Sequence, residues 1–219
     1  MRDADQMTVL PMFPLGGVLL PGERLPLHVF EPRFQALVRD CLAAPDGPRF
    51  GTVLIARGHE VGGGDVRHDV GTLARIVSHV GIGDGRYALD CVGEDRIRVV
   101  RWLGDDPYPR AEIEPWPVPT EAQVDMARLT ELMDQLADLY AALSRIRSTE
   151  TPPPAPPRMA DLLGHDGDHL FRLASWVPMG AADRLAILAS NTVDDRHRVL
   201  ADAIENAREI AEFRLSGHQ

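Results

Sequence analysis

The densest set of side chains able to hold a metal is Asp161, His165, Asp166, Asp168 and His169. Imidazole and carboxylate suit zinc and similar cations, and His165 and His169, four apart, would align on one helix face. Gly164 and Gly167 interrupt that face, and no H-E-x-x-H acid is present, so the cluster reads as an acidic turn capping a helix. Residues 58–65, GHEVGGGD, offer glycine N–H groups of the kind that cradle an anion. No helix pattern follows them, and Glu60 and Asp65 would repel phosphate, which leaves a hairpin loop. Ser144, Ser148, Ser175 and Ser190 lie in helical or linker context, without the G-x-S-x-G elbow that exposes a nucleophile. Cys41 falls on an apolar helical stripe, so it and Cys91 read as buried thiols rather than a disulfide or a metal site.

All 23 basic residues are arginine. A chain without lysine has no phosphate loop of the G-x-x-x-x-G-K-[ST] type, no Ser–Lys dyad and no Schiff base, because each needs an amine. No cofactor, metal or catalytic residue is expected, and the chain reads as a non-enzyme. The competing enzyme reading, a hydrolase or metal-dependent site assembled from distant residues, finds no set of residues that selects it. Nucleic acid is disfavoured as a partner: net charge is −10 with a pI near 5.2, and backbone binding depends on neutralising phosphates. Arg96, Arg98, Arg101 and Arg110 form a local basic strip, but Glu94, Asp95, Asp105 and Asp106 interleave with it.

The elements that must position any site follow from periodicity. Pro11, Pro14, Pro21 and Pro26 exclude regular helix before Glu31 and favour short strands with turns at Gly16-Gly17 and Pro21-Gly22. Pro32 suits a first helical turn, and Phe34, Leu37, Val38, Cys41 and Leu42 behind it make one apolar stripe. Residues 50–56 form a buried run. Residues 70–82 alternate, but with polar and apolar side chains on both faces. Gly83-Asp84-Gly85 is a hairpin turn leading into 86–92. Over 95–103 the alternation turns Arg96, Arg98 and Arg101 outward against Ile97, Val99 and Leu103, with a register break near Val100. Strands of this length and spacing argue for a small barrel or sandwich.

After Pro115-Trp116-Pro117-Val118-Pro119 the pattern is helical. Thr120 is an expected N-cap for a long amphipathic helix through Ile146, and residues 151–157, rich in proline, form an extended linker. Three further helices are expected: one capped by Asp168 with Leu170, Leu173 and Ala174 inward, one over 180–190, and one opened by Thr192-Val193-Asp194-Asp195. The domains are thus a β-rich part, 1–118, and a helical part, 119–219. No apolar run approaches the ~20 residues of a membrane span, and Asp3 and Asp5 near the start do not suit a signal peptide. A cytoplasmic location is expected.

The segment over residues 9–42 resembles the N-terminal domain of the ATP-dependent protease Lon at Phe13-Pro14-Leu15, Leu20-Pro21-Gly22, Leu25-Pro26-Leu27 and Phe30-Glu31-Pro32-Arg33. The likeness continues through most of residues 8–213. It implies an α+β chain: a PUA-like pseudobarrel of short, mostly antiparallel strands followed by a C-terminal helical bundle. It also implies a substrate-binding module without the ATPase and Ser–Lys protease parts. Its partners would be unfolded or degron-bearing polypeptides and a protease, in the role of an adaptor or chaperone-like binder. RNA binding is the alternative raised by other PUA-like barrels. The proline-rich amino-terminal strands are expected to leave a free edge for an extended peptide. The apolar residues expected at such a surface are Leu15, Leu27, Phe30, Trp102 and Trp116.

Overall fold

Two prolines lie inside the first strand, β1 (Thr8–Leu15), and the sheet is arranged so that neither breaks a shared ladder. Thr8 to Pro11 pair only with β6 (Arg110–Pro115), whereas Met12 to Leu15 pair only with β3 (Arg49–Arg57). Each half of β1 is therefore an edge, the setting that tolerates proline. In this computed structural model the described residues are 8–57, 66–117, 125–146, 155–163 and 169–216. The chain divides into two compact units, Met1–Val118 and Pro119–Gln219.

The first unit is a six-stranded, mostly antiparallel sheet. Its remaining strands are β2 (Arg24–Val29), β4 (Val66–Gly81) and β5 (Tyr87–Trp102), in the order β2-β5-β4-β3-β1-β6. β5 also pairs with β6, so β5, β4, β3, β1 and β6 close into a ring. β2 stands outside it, paired with the first half of β5 on the side that β6 takes further along. Met12, Val53, Ile97, Val99, Ala111 and Ile113 pack into one core. A second core forms where Phe34, Leu37, Val38 and Cys41 of helix α1 (Pro32–Ala43) meet Phe13, Phe50, Ile76 and Leu89. Phe13 and Phe34 stack with ring centroids 3.9 Å apart. Both thiols are buried and free.

Close backbone approach in the ring requires glycine. A Cβ on Gly71 would come within 2.0 Å of Thr52 O, and one on Gly93 within 2.4 Å of Leu20 O. Strands β4 and β5 then run past the ring as an arm. The mixed pattern over 70–82 has its reason here: Ile76 pairs with Cys91 but Ser78 with Asp90, so Val77 is an extra residue. Such a bulge exchanges the two faces of a strand. Even-numbered Thr72, Ala74 and Ile76 are buried before it, while Val80 and Ile82 are exposed after it.

In the second unit α2 (Met126–Ile146) packs its Leu129, Leu132, Leu136 and Leu139 stripe inward, and α6 (Val193–Ser216) lies along it. Asp125 caps α2, accepting the Ala127 and Arg128 N–H groups at 3.0 and 3.1 Å. Thr120, the expected cap, lies outside the described residues. Thr192 caps α6 as its sequence implies: its hydroxyl accepts the Asp195 N–H at 3.0 Å and donates to that carboxylate at 2.9 Å. The shorter α3 (Met159–Leu163), α4 (His169–Ala174) and α5 (Ala181–Leu188) supply Leu162, Phe171, Leu173, Ile187 and Leu188 to the core. Among the described residues no helix is long and apolar enough to cross a membrane.

Candidate functional site

The structure does not bring together the five residues expected at a binding surface. Leu15, only 7% exposed, belongs to the core beneath α1 and has no surface to offer. The reason is its neighbours: its half of β1 is roofed by the helix that the following apolar stripe builds. Leu27 is partly buried against the same core. Trp102 packs on the other core, while Trp116 sits beside Arg96, whose carbonyl accepts the Trp116 N–H at 2.8 Å. Arg96 and Trp102 are six residues apart on β5, roughly 20 Å of strand. Phe30 follows β2 at the far end of β5 and is 57% exposed.

Arginine claims both tryptophans. The Arg67 guanidinium lies 4.7 Å from the Trp102 ring centroid and pairs with Asp105 at 2.5 Å, while the indole N–H donates to Asp69 at 3.4 Å. Arg96 and Arg98 lie 4.0 and 4.2 Å from the Trp116 centroid. Alternation predicts Arg96 outward, and it does face away from Ile97 and Val99. Yet it is 1% exposed, because Trp116 folds back over it. Alternation specifies a face and not what covers it. Elsewhere on the basic strip, Arg98 pairs with Glu114 at 3.8 Å and Arg101 with Glu112, so acidic partners occupy most of it.

A different surface emerges on the arm. Cross-strand partners share a face. Val80, Ala88 and His28 make one row across β4, β5 and β2. Ile82, whose N–H donates to Arg86 O at 3.0 Å, continues the next row toward Phe30. Val80 (61% exposed) lies on the outer face beside Ala88, and continued alternation along β2 and β4 puts Phe30 and Ile82 (48%), on either side of Arg86, on that same face. The opposite face carries Leu25, Leu27, Leu89 and Cys91 onto α1. Gln35 of α1 braces the edge of this surface, donating to Phe30 O at 2.9 Å. Its Oε1 sits 2.8 Å from where a Gly85 Cβ would be. Gly83, Asp84 and Gly85 all have positive φ, the turn that the sequence marks. Val80 and Ile82 were not singled out from sequence; the loss of clean alternation over 70–82 was the signal available.

The metal, anion and nucleophile candidates fall only in part within the described residues. Asp161 accepts from Arg158 and His169 Nδ1 lies 3.1 Å from Leu162 O, while His165, Asp166 and Asp168 lie outside the described residues. So does the GHEVGGGD loop. Among the described residues no three His, Cys, Asp or Glu side chains gather as metal ligands. Burial pushes the Cys41 and Cys91 thiols up to about 12, the opposite of an activated nucleophile. Tyr108, also pushed up to about 12 by burial and its 2.6 Å hydrogen bond to Asp40, ties the loop before β6 to α1.

Comparison with known proteins complements this geometry. Residues 9–206 match the family described as the ATP-dependent protease La (LON) substrate-binding domain. The chain is similar to the Lon protease of Anaeromyxobacter dehalogenans (strain 2CP-C), at 29% identity over 209 residues, covering 94% of this chain and 24% of that protein. It is similar to Lon protease 2 of Myxococcus xanthus, at 28% identity over 214 residues with the same two shares. It thus spans about a quarter of the length of the curated relatives it matches. Among solved structures, the crystal structure of a Lon N-terminal domain protein from Xanthomonas campestris aligns with a TM-score of 0.61 and 30% identity, covering 91% of this chain and 98% of that one. The N-terminal domain of a Mycobacterium avium complex Lon protease shares the fold, with a TM-score of 0.58, 21% identity and coverage of 91% and 99%.

Proposed function

The chain belongs to the Lon substrate-binding domain family, and from that premise we propose that it is a non-catalytic module that holds unfolded or degron-bearing polypeptide in the cytoplasm. It acts as an adaptor or chaperone-like binder that passes its cargo to a protease. The observation that carries this reading is the outer face of the arm, where Phe30, Val80 and Ile82 stand exposed together on a braced sheet. Apolar side chains held out in this way attract apolar segments at roughly 25 cal/mol per Å² of apolar surface buried. Unfolded chains expose contiguous apolar segments that folding largely buries. Phe30, one of the five apolar residues expected from sequence, belongs to this face. Leu27 backs it from the α1 side, and Trp102 and Trp116 serve as rigid posts whose rings arginine already occupies.

The test is a titration of the purified chain with a fluorescently labelled, permanently unfolded protein (reduced and carboxymethylated). Saturable binding that changes little between low and high salt is expected, since apolar contact is not screened. Absence of binding contradicts the reading. So does a shift of RNA in a gel with steep salt dependence, the signature of phosphate contacts, or turnover of a nucleotide or peptide bond by the chain itself.

A further inference from the structure

The arm ends in two open strand edges whose chemistry differs. Hydrogen bonding in an antiparallel pair alternates, so every second residue turns its N–H and C=O away from its partner. The bond from Ile82 N–H to Arg86 O sets the phase. Val80 and Ser78 then bond to Ala88 and Asp90, while His79 and Gly81 face outward. Carried across β5, the same phase directs Leu27 and Val29 inward and Arg24, Pro26 and His28 outward on β2. Pro26 has no N–H, and Arg24 is charged, paired with Asp90. Proline and charge are the devices that blunt an edge. The free edge expected on the amino-terminal strands is therefore guarded.

The β4 edge has neither device. β3 accompanies β4 only to the pair Arg49 and Arg75, followed by one bond from Ile76 N–H to Pro48 O at 2.9 Å. Among the described residues no strand pairs with the outer side of residues 77–81. Their sequence, VSHVG, contains no proline and no acidic or arginine side chain, and every one of them is exposed. A Cβ placed on Gly81 would meet nothing within 4 Å.

We propose that this edge receives an extended stretch of polypeptide as an added strand. The inference rests on the polypeptide-binding reading above and gives it a mode. Outward groups at His79 and Gly81 repeat every second residue, ~6.8 Å apart, the spacing of an extended backbone. The match is to main chain, which any sequence offers, so the edge suits a module that takes many cargoes. Alternate side chains of the added strand lie beside Val80 and Ile82, which favours segments with β-branched or aromatic residues at every second position. RNA finds little here, since the nearby Arg86 is paired with Asp84 at 3.3 Å. A second copy carries the same net charge of −10, so the two chains repel each other overall.

Amide hydrogen exchange on the full chain, free and saturated with the reduced, carboxymethylated protein, decides the matter. In the free chain His79 and Gly81 should exchange rapidly while Val80 is protected. Saturation should slow His79 and Gly81 by about tenfold or more and leave Val80 nearly unchanged. Saturable binding that leaves both amides fast overturns the edge proposal and spares the polypeptide-binding reading, whereas no binding removes both. Protection of the two amides that rises with the chain's own concentration assigns the edge to a second copy and also overturns the proposal. His79→Pro, which deletes one outward donor, should weaken binding about tenfold at an unchanged melting temperature. Exchange on the unaltered chain remains decisive where that variant does not fold.

Discussion

Strand β5 passes through two environments, and the contrast between them divides structure from function. Its second half pairs with β6 in the ring: Ile97 and Val99 are core, and the flanking tryptophans are stacked against arginine. Its first half, with β2 and the end of β4, is covered by α1 on one face and open on the other. The glycines repeat the contrast. Gly71 and Gly93 are needed because another backbone passes against them, whereas Gly81 has room around it. The ring is where the chain packs backbone closely, and the arm is where a strand edge is left open beside exposed apolar side chains.

The largest effect expected is in the packing under α1. Phe34→Ala, which removes the stacked partner of Phe13, should lower unfolding free energy by about 3–5 kcal/mol in denaturant titrations. Next comes the glycine pair. Gly71→Ala should destabilise by about 3 kcal/mol, since a Cβ 2.0 Å from Thr52 O forces the strands apart. Gly81→Ala should stay within about 0.5 kcal/mol of the parent chain. Equal effects at the two positions would erase the distinction between ring and arm.

Arginine stacking gives a smaller contrast. Arg96→Lys should lower stability by about 1–2 kcal/mol, because a buried ammonium cannot replace a planar guanidinium over Trp116, and Arg98→Lys by less than about 1 kcal/mol at its exposed site. Thermal melts of the two variants check the order.

The smallest effect concerns Glu94, whose carboxylate accepts from Arg49 at 2.7 Å and from Arg75 at 2.6 Å. Burial pushes this carboxyl up, but the hydrogen bonds and charges of the two arginines outweigh it and hold it below the usual glutamate range. A depressed folded pKa stabilises fully above the ordinary value and is lost as pH falls through the lowered one. Glu94→Gln should therefore lower the melting temperature at pH 7 and flatten its decline below about pH 4.5. A variant whose acid limb remains as steep as the parent's would assign that limb to other groups.

What could be read from sequence was what a single element dictates. The Phe34 to Cys41 stripe, the Gly83-Asp84-Gly85 turn, the register break near Val100 and the Thr192 cap each depend on residues a few positions apart. What escaped depends on meetings across the chain. The burial of Arg96 needs Trp116, twenty residues on. Closure of the ring needs β5 to find both β4 and β6, and the exposed face of Val80 and Ile82 needs a bulge that exchanges inside and outside. Of the five residues expected at a binding surface, Phe30 is the exposed one. The other four are apolar, and apolar residues are more often core or covered than free.

The division between ring and arm is tested most directly by measuring the dissociation constant for the carboxymethylated unfolded protein with two variants side by side. One carries Phe30→Ser and Ile82→Ser on the arm, and the other carries Trp102→Phe on the ring. The arm variant should bind at least about tenfold more weakly at an unchanged melting temperature, while the ring variant binds as the parent does. The reverse ranking, with binding lost at Trp102 and kept on the arm, would contradict the account.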